Sequence, residues 1–494
     1  MRTFSQAYTA DACRKIDHRA IHALGVPGIE LMHRAGRCAF GVLRESWPHA
    51  RHVTVCCGAG NNAGDGFVLA GLARREGLAV QALAESVESF RGDARSAYEW
   101  MLEQGVRPTS AGSISGEVVV DALLGTGAKG PPRAEIQARI DAIRGSGRPV
   151  LAVDVPSGID PSTGGKLTDR PVIADVTATF VGVKLGLLTG EGPNCTGELR
   201  YFDLDLPATA FDNIAGIPLI PIDASERCLP VRRAGAYKNQ HGHVLVVAGG
   251  RGMGGAATLT SLAALRTGAG LVSVATHQSH AQAVLARCPE AMVHGASPEG
   301  PELSHLLDRA SVVVVGPGLG MDTWASGMLS GCLESSKPLV LDADALNLLS
   351  KQGQQAPKGS ILTPHPGEAA RLLSRSPGDV QADRSASAVE LSVRHTSTVA
   401  LKGAGTLVAN DGHLHGICAV ACAALATSGS GDVLAGIIGA TRANAHSPAT
   451  AASLGVWLHA QAGMQAQSKA GRRAVIAGDI VKRIQPWPEE SRSS

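Results

Sequence analysis

The 494-residue chain has few aromatic side chains, Phe, Trp and Tyr together making 3% of it. It also lacks an excess of charge of either sign, with 45 Lys and Arg against 43 Asp and Glu, a net charge of +2. Without a long run of one sign, the electrostatic footprint that holds a duplex is missing, and no nucleic acid is expected as a partner. Long apolar runs are absent as well: residues 417–426 form the longest, ten residues, half of the ~20 needed to span a bilayer, so no membrane partner is expected. Asp11, Arg14, Lys15, Asp17 and Arg19 stand where a secretion signal needs an apolar segment, which points to the cytoplasm. The ten cysteines include no Cys-x-x-Cys and no Cys/His array, so small buried thiols are expected rather than a zinc site or a disulfide framework. His241-Gly-His243 and His413-Leu-His415 alternate as in strands and read as core or solvated side chains rather than metal pairs.

Glycine is what the chain has in excess. Its 60 glycines are about 12% of the residues against a usual ~7%, without a collagen period, and suggest many turns where backbone approaches ligand. With 44% hydrophobic and 18% charged residues the chain is globular, and its length calls for at least two domains. Short β-branched runs recur, each followed by glycine and then by a helical pattern. That alternation predicts an α/β protein of two domains, each a mainly parallel sheet flanked by helices. In the first half, strands are expected at 52–57, 79–83, 118–121, 150–153 and 175–180, after helices at about 10–24 and 29–46. In the second half they are expected at 243–248, 271–275, 312–315, 339–341, 360–362, 398–401 and 406–409. Pro207, Pro218, Pro221 and Pro230 break the rhythm, placing a boundary near 222 and domains at 1–222 and 223–494, with a frayed polar tail at 485–494.

After the first strand comes Gly58-Ala-Gly-Asn-Asn-Ala-Gly-Asp-Gly66, expected to be a turn that leads into a helix over 67–75. In an open parallel sheet, such a turn offers backbone N–H groups and a helix start to phosphate at the carboxyl ends of the strands. Two more strand ends agree: Asp121 runs into Ala-Leu-Leu-Gly125-Thr-Gly-Ala-Lys-Gly-Pro131, and Asp154 into Val-Pro-Ser157-Gly. Asn62, Asp121 and Ser157 offer oxygen ligands to a hard cation. Helix capping is the plainer alternative for either aspartate.

These three motifs together resemble the NAD(P)H-hydrate epimerase domain, with a Rossmann-like fold, over nearly all of 1–220. The resemblance implies that Asn61, Asn62, Ala63, Gly64 and Asp65, the loop Gly125, Thr126, Gly127, Ala128, Lys129, Gly130 and Pro131, and Asp154 bind the hydrated nicotinamide nucleotide. It implies potassium on Asn62, Asp121 and Ser157. Ala63 stands where the family usually has glycine. A hydroxyl beside the ring nitrogen leaves with help from that nitrogen's lone pair and returns to either face, so the protein must hold the ring and manage a proton. Asp154 is the candidate acid/base, and Lys129 a weaker one.

In the second half, Gly429-Ser-Gly-Asp432 precedes a helix expected over 433–442, with Lys402-Gly-Ala-Gly-Thr406 upstream. Glycines at a helix start expose unpaired N–H groups to an anion, and the neighbouring Asp can take a proton from a hydroxyl attacking phosphorus. With Gly249-Gly-Arg-Gly-Met-Gly-Gly-Ala256, Gly316-Pro-Gly318-Leu-Gly320, Asp342-Ala-Asp344 and Thr363-Pro-His365-Pro-Gly-Glu368, this layout resembles the NAD(P)H-hydrate dehydratase branch of the ribokinase-like superfamily over about 225–485. The resemblance implies hydrate contacts at Ala256, Gly318, His365 and Asp432, with Asp432 the catalytic base. It implies adenine nucleotide on Lys402, Gly403, Ala404, Gly405, Thr406 and Gly431, and Mg²⁺ carried with ADP, Glu368 being an outer ligand. Asp342 and Asp344 read as helix caps. The combined expectation is a bifunctional enzyme acting on NADHX and NADPHX, the hydrates of NADH and NADPH, with ADP, and assembled as a homo-oligomer, a tetramer being one form. The alternative is a vitamin-precursor kinase fused to a non-catalytic nucleotide-binding domain.

Overall fold

The computed structural model describes residues 4–85, 87–220, 234–444 and 446–485. The chain divides into two compact units, Met1–Ile217 and Pro218–Ser494. The boundary expected at 222 and nearly all of the expected frayed tail lie outside the described residues. No helix among the described residues is long and apolar enough to cross a membrane.

The first unit is built on six parallel strands, β1 (His52–Cys57), β2 (Ala79–Leu83), β3 (Val118–Ala122), β4 (Val150–Val153), β5 (Val176–Phe180) and β6 (Glu198–Phe202), in the order β2-β1-β3-β4-β5-β6. All of β3, β4 and β5 is buried, as expected of central strands covered by helices on both faces, with Asp121 in β3 and Thr177 and Thr179 in β5 as buried polar exceptions. From β1 the chain first builds outward to β2, then returns to lay β3 on the other side of β1. Strand order therefore reverses between β1 and β3, the place where an open α/β sheet parts its loops and admits a ligand. The helix that follows β1 spans Asn61–Arg75, with Gly60 as its N-cap. Asn61 to Asp65 are thus its opening turn, not a loop before a helix at 67. Gly66 allows this close seat, since a methyl group there would lie 2.6 Å from the Ala122 side chain on β3.

The second unit holds a nine-stranded sheet made of β7 (His243–Val247), β8 (Leu271–Thr276), β9 (Met292–Gly295), β10 (Val312–Val315), β11 (Leu339–Leu341), β12 (Ile361–Leu362), β13 (Thr398–Leu401), β14 (Thr406–Asn410) and β15 (His413–Cys418). Its order is β9-β8-β7-β10-β11-β12-β13-β14-β15, parallel as far as β13 and antiparallel across the last two pairs. The reversal point here lies between β7 and β10. The edge strands β6 and β9 were not expected from sequence, whereas His413 and His415 do lie in a strand. His243 is buried in β7 with Nε2 2.8 Å from Ser273 Oγ, while His241 belongs to a short 3₁₀ turn.

Two helices of this unit, Gly254–Thr267 and Ser430–Ala443, pack at backbone distance because Gly436 has no side chain. A methyl group there would sit 2.2 Å from the Thr260 carbonyl oxygen. Gly436→Ala is therefore expected to destabilise this unit by about 1–3 kcal/mol, since overpacking against backbone has no soft neighbour to move. A urea titration checks this: an unchanged midpoint would show that the helices part freely.

Candidate functional sites

In the first unit a cavity of about 570 Å³ opens over the β1/β3 reversal point, walled by the start of the helix Asn61–Arg75, the loop after β3, the end of β4 and the helix Ala10–His22. Asp154, 7% exposed, follows β4 with φ +69°, a conformation that few residues other than glycine adopt. Its Oδ2 accepts from Thr126 N–H at 3.2 Å, while Oδ1 accepts from Thr179 Oγ1 at 3.3 Å and from Lys184 Nζ. Lys184, 2% exposed, also donates to the Phe180 carbonyl at 2.8 Å. The turn that brings it there is strained too, with the β-branched Val181 at φ +65°. Asp17 and Asp65 face the same cavity. Burial pushes the Asp17 carboxyl up to about 6, against the pull of the Lys184 ammonium and with a push from Asp154. It raises Asp65 well above the usual carboxylate range, with Asp154 and Asp17 adding to the effect.

Beneath the loop after β3, Asp121 is fully buried. Its carboxylate accepts from Ser157 Oγ at 2.7 Å, Ser157 N–H at 2.8 Å and Leu123 N–H at 3.2 Å. Asn62 donates through Nδ2 to the Leu124 carbonyl at 3.0 Å, but its buried Oδ1 has no partner. A buried carboxylate with no basic side chain bonded to it, beside an orphaned amide oxygen, is an oxygen-donor set of the kind that suits a hard cation.

In the second unit the carboxyl ends of β7, β10, β11, β12 and β13 converge. Asp342, 1% exposed, ends β11 and accepts from Lys402 Nζ at 2.6 Å and Thr363 Oγ1 at 2.7 Å. Glu368 Oε2 lies 3.8 Å from the same ammonium and accepts the His365 N–H at 2.7 Å. His365 Nδ1 accepts from Gly367 N–H at 2.9 Å, capping its own helix, and burial together with the Lys402 charge lowers its pKa. Gly431 belongs to the first turn of the helix Ser430–Ala443, where a methyl group would meet Lys402 Nζ at 3.4 Å. Asp432 follows it. Its carboxyl is pushed up to about 7 by burial first and by the Asp342 charge second, with Lys402 opposing. Ala256 and Gly318 touch, a methyl group on Gly318 falling 2.8 Å from the Ala256 side chain. Arg384, 1% exposed, donates to the Leu401 and Lys402 carbonyls at 3.1 Å and so fixes the loop from 402 to 406 from below.

A family model described as NAD(P)H-hydrate dehydratase matches residues 244–486, and one described as YjeF-related protein N-terminus matches residues 28–186. A protein of Coxiella burnetii, the bifunctional NAD(P)H-hydrate repair enzyme Nnr, is 41% identical over 94% of this chain and 96% of its own length. The chain belongs to the family of bifunctional NAD(P)H-hydrate repair enzymes. The relative of that name in Escherichia coli K12 is 39% identical, over 96% of this chain and 92% of its own. A solved structure titled as an ADP/ATP-dependent NAD(P)H-hydrate dehydratase from Bacillus subtilis, co-crystallised with ATP/Mg²⁺, is 28% identical over 52% of this chain and 93% of that one, with a TM-score of 0.47.

In this repair-enzyme chain, Asn61, Asn62, Asp65, the loop Gly125 to Pro131 and Asp154 all line the first cavity. Ala63 and Gly64 do not: Ala63 is fully buried in the core and Gly64 lies against Met32, where a methyl group would be 2.3 Å from its sulfur. Asp342 and Asp344 are not helix caps. Ala343 occupies the N-cap position at φ +46°, Asp342 pairs with Lys402, and Asp344 accepts from Gly320 N–H at 2.8 Å, tying the Gly318 loop to the cluster. Sequence reasoning missed Lys184 and Asp17 as site residues. A lone lysine inside the apolar run Val181-Gly-Val-Lys184-Leu-Gly-Leu-Leu188 was the available signal for the first.

Proposed function

We propose that the first unit interconverts the R and S hydrates of NADH and NADPH. The second unit would dehydrate the S form at the expense of ADP, giving AMP and phosphate. The observation that carries this reading is Asp432: a half-buried carboxyl at the start of a glycine-led helix, beside a lysine held by two buried acids. Hydroxide leaves poorly and phosphate leaves well, so transferring a phosphoryl group to the ring hydroxyl and then expelling it restores the ring double bond. Asp432 removes the hydroxyl proton as phosphorus is attacked, and the N–H groups at 430–432 with Lys402 balance charge on the transferring oxygens. Adenine nucleotide lies along Lys402 to Thr406 and Gly431, and the hydrate contacts Ala256, Gly318 and His365. The carboxylates fit Mg²⁺ only together with nucleotide phosphates, because Asp342 and Glu368 already serve Lys402. With that ion bound, Glu368 would be its outer ligand, and the metal would supply positive charge to the phosphates.

In the first unit, Asn62, Asp121 and Ser157 would hold K⁺, whose charge firms the loop over the hydrate. Ligand linkage then predicts that K⁺ stabilises the first unit by up to about 2.7 kcal/mol at a hundredfold excess over Kd, and so a higher melting temperature in K⁺ than in tetramethylammonium at equal ionic strength. Asp121→Asn should erase the difference; equal melting of the unaltered protein in both salts removes K⁺ from the site. Joining the two activities matters because damage yields both epimers, and a stereospecific dehydratase alone strands one of them. The central test supplies purified protein with mixed R and S NADPHX and either ADP or ATP, following return of the dihydronicotinamide absorbance. Full recovery with ADP is expected. No recovery with either donor overturns the reading of the second unit, and a phosphorylated product that accumulates marks a kinase instead.

A further inference from the structure

Asp154 was expected to shuttle the proton of epimerisation, yet its carboxylate already accepts from Thr126 N–H, Thr179 Oγ1 and the buried Lys184. Its oxygens are thus occupied by three donors, one of them a buried ammonium. Such a group suits a different task, since expelling the hydroxyl leaves a cationic ring and a fixed negative charge stabilises it. The proton must then come from elsewhere in the same cavity. Asp17 lines that cavity, and among the described residues its side chain has no hydrogen bond or ion pair. It sits one helical turn after Cys13, which also faces the cavity. Asn62, with its unpartnered Oδ1, lines the same cavity from the first turn of the helix Asn61–Arg75.

We infer that Asp17 carries the proton in hydrate epimerisation, while Asp154, held by its three donors, is the carboxylate that faces and stabilises the ring cation. The inference rests on the epimerase reading of the first unit. In the forward step, the Asp17 carboxyl gives its proton to the ring hydroxyl. The carbon–oxygen bond breaks, water departs, and the nitrogen lone pair forms the nitrogen–carbon double bond. In the return step a water adds to the other face, the double-bond pair goes back to nitrogen, and the water's proton passes through cavity water to the Asp17 carboxylate. Atoms and charge balance over the cycle, and no further reactant is needed.

The groups that bear on Asp17 agree with this division. Lys184 and Asp154 act on it from the strand ends, Asp65 from the helix Asn61–Arg75 and Cys13 from its own helix. The helix Gly28–Ser46 contributes apolar Leu31, Met32 and Ala35 to the wall, and Asp93, Lys129, Arg133 and, on Asp17's own helix, Arg14, which donates to the Thr126 carbonyl at 2.8 Å, complete its titratable groups. Burial places Asp17 at about 6, close to working pH, where a group both gives and regains a proton efficiently. Burial raises Asp65 well above the usual carboxylate range, with Asp154 and Asp17 adding to the push.

The test follows R-to-S exchange of NADPHX by chromatography across pH 5 to 8, with the uncatalysed rate subtracted. For the unaltered protein the rate should fall as pH rises through about 6, because the protonated carboxyl starts the reaction. Asp17→Asn should slow exchange about 10²- to 10³-fold and flatten the profile. ADP-dependent dehydration of the S hydrate should persist as a control on the second unit, and an unchanged thermal unfolding transition of the first unit shows that the variant is folded. Asp154→Asn should slow exchange but keep the inflection, moved to lower pH by loss of a neighbouring anion. Exchange by Asp17→Asn within threefold of normal, or an inflection that vanishes in Asp154→Asn, overturns the inference. If Asp17→Asn does not fold, the Asp154→Asn profile decides alone. Absence of exchange in the unaltered protein overturns the epimerase reading itself.

Discussion

Asp432→Asn is expected to lower ADP-dependent dehydration of S-NADPHX about 10²- to 10⁴-fold, the usual worth of a positioned base, while leaving R-to-S exchange intact. On the proposed reading the two activities belong to different compact units, so one substitution should separate them in a single preparation. In the unaltered protein the dehydration rate should climb as pH rises through about 7, because the carboxylate form accepts the hydroxyl proton. Stability runs the other way. The folded carboxyl binds its proton more tightly than the unfolded one, so its contribution is complete below the unfolded value and is lost as pH rises through about 7. Asp432→Asn should therefore melt higher than the unaltered chain above pH 7, even though it is inactive. A variant that keeps a tenth of the dehydration rate would place the base elsewhere.

The second large effect is structural. Lys184→Met leaves Asp154 buried with its cation removed, and breaking a buried pair from one side costs about 3–5 kcal/mol. At about 2–4 °C per kcal/mol for a unit of this size, the first unit should melt about 10 °C lower. Exchange should be lost with it, since the carboxylate loses the donor that aims it. Combining Lys184→Met with Asp154→Asn should recover much of the stability and none of the exchange, because the stranded charge is gone but so is the site. Should the double variant prove as unstable as Lys184→Met alone, the cost lies in packing around the lysine stem rather than in its charge.

The contrast between these two sites shows what sequence reveals here. Asp432 was legible because its chemistry sits in a contiguous stretch: three glycine-rich residues, then the acid, then a helix. The apolar runs that became β3 and β10 were equally plain, since a strand buried on both faces has no room for alternation. Lys184 and Asp17 were not legible, because neither owes its place to its neighbours in the chain. Lys184 is aimed by a strained turn at Val181 that no propensity favours, and Asp17 by a helix packed over the strand ends. Asp342 misled for the opposite reason. Its local pattern, an acid just before a helix, is that of a cap, and only the arrival of Lys402 from sixty residues away gives it another task. The edge strands β6 and β9 escaped notice because each pairs on one side only and needs no long apolar run.

Arg384 carries a consequence for how adenylate is captured. Its guanidinium occupies the space a side chain at 403 would need, with φ +143° at Gly403 and a methyl group there only 2.8 Å from the guanidinium nitrogens. The segment proposed to meet the nucleotide is thus set in shape before any nucleotide arrives, and little freedom would be left to lose on capture. A wider side chain at 403 would trade that rigidity for a floppy lip, felt first as a shorter residence time for the spent AMP.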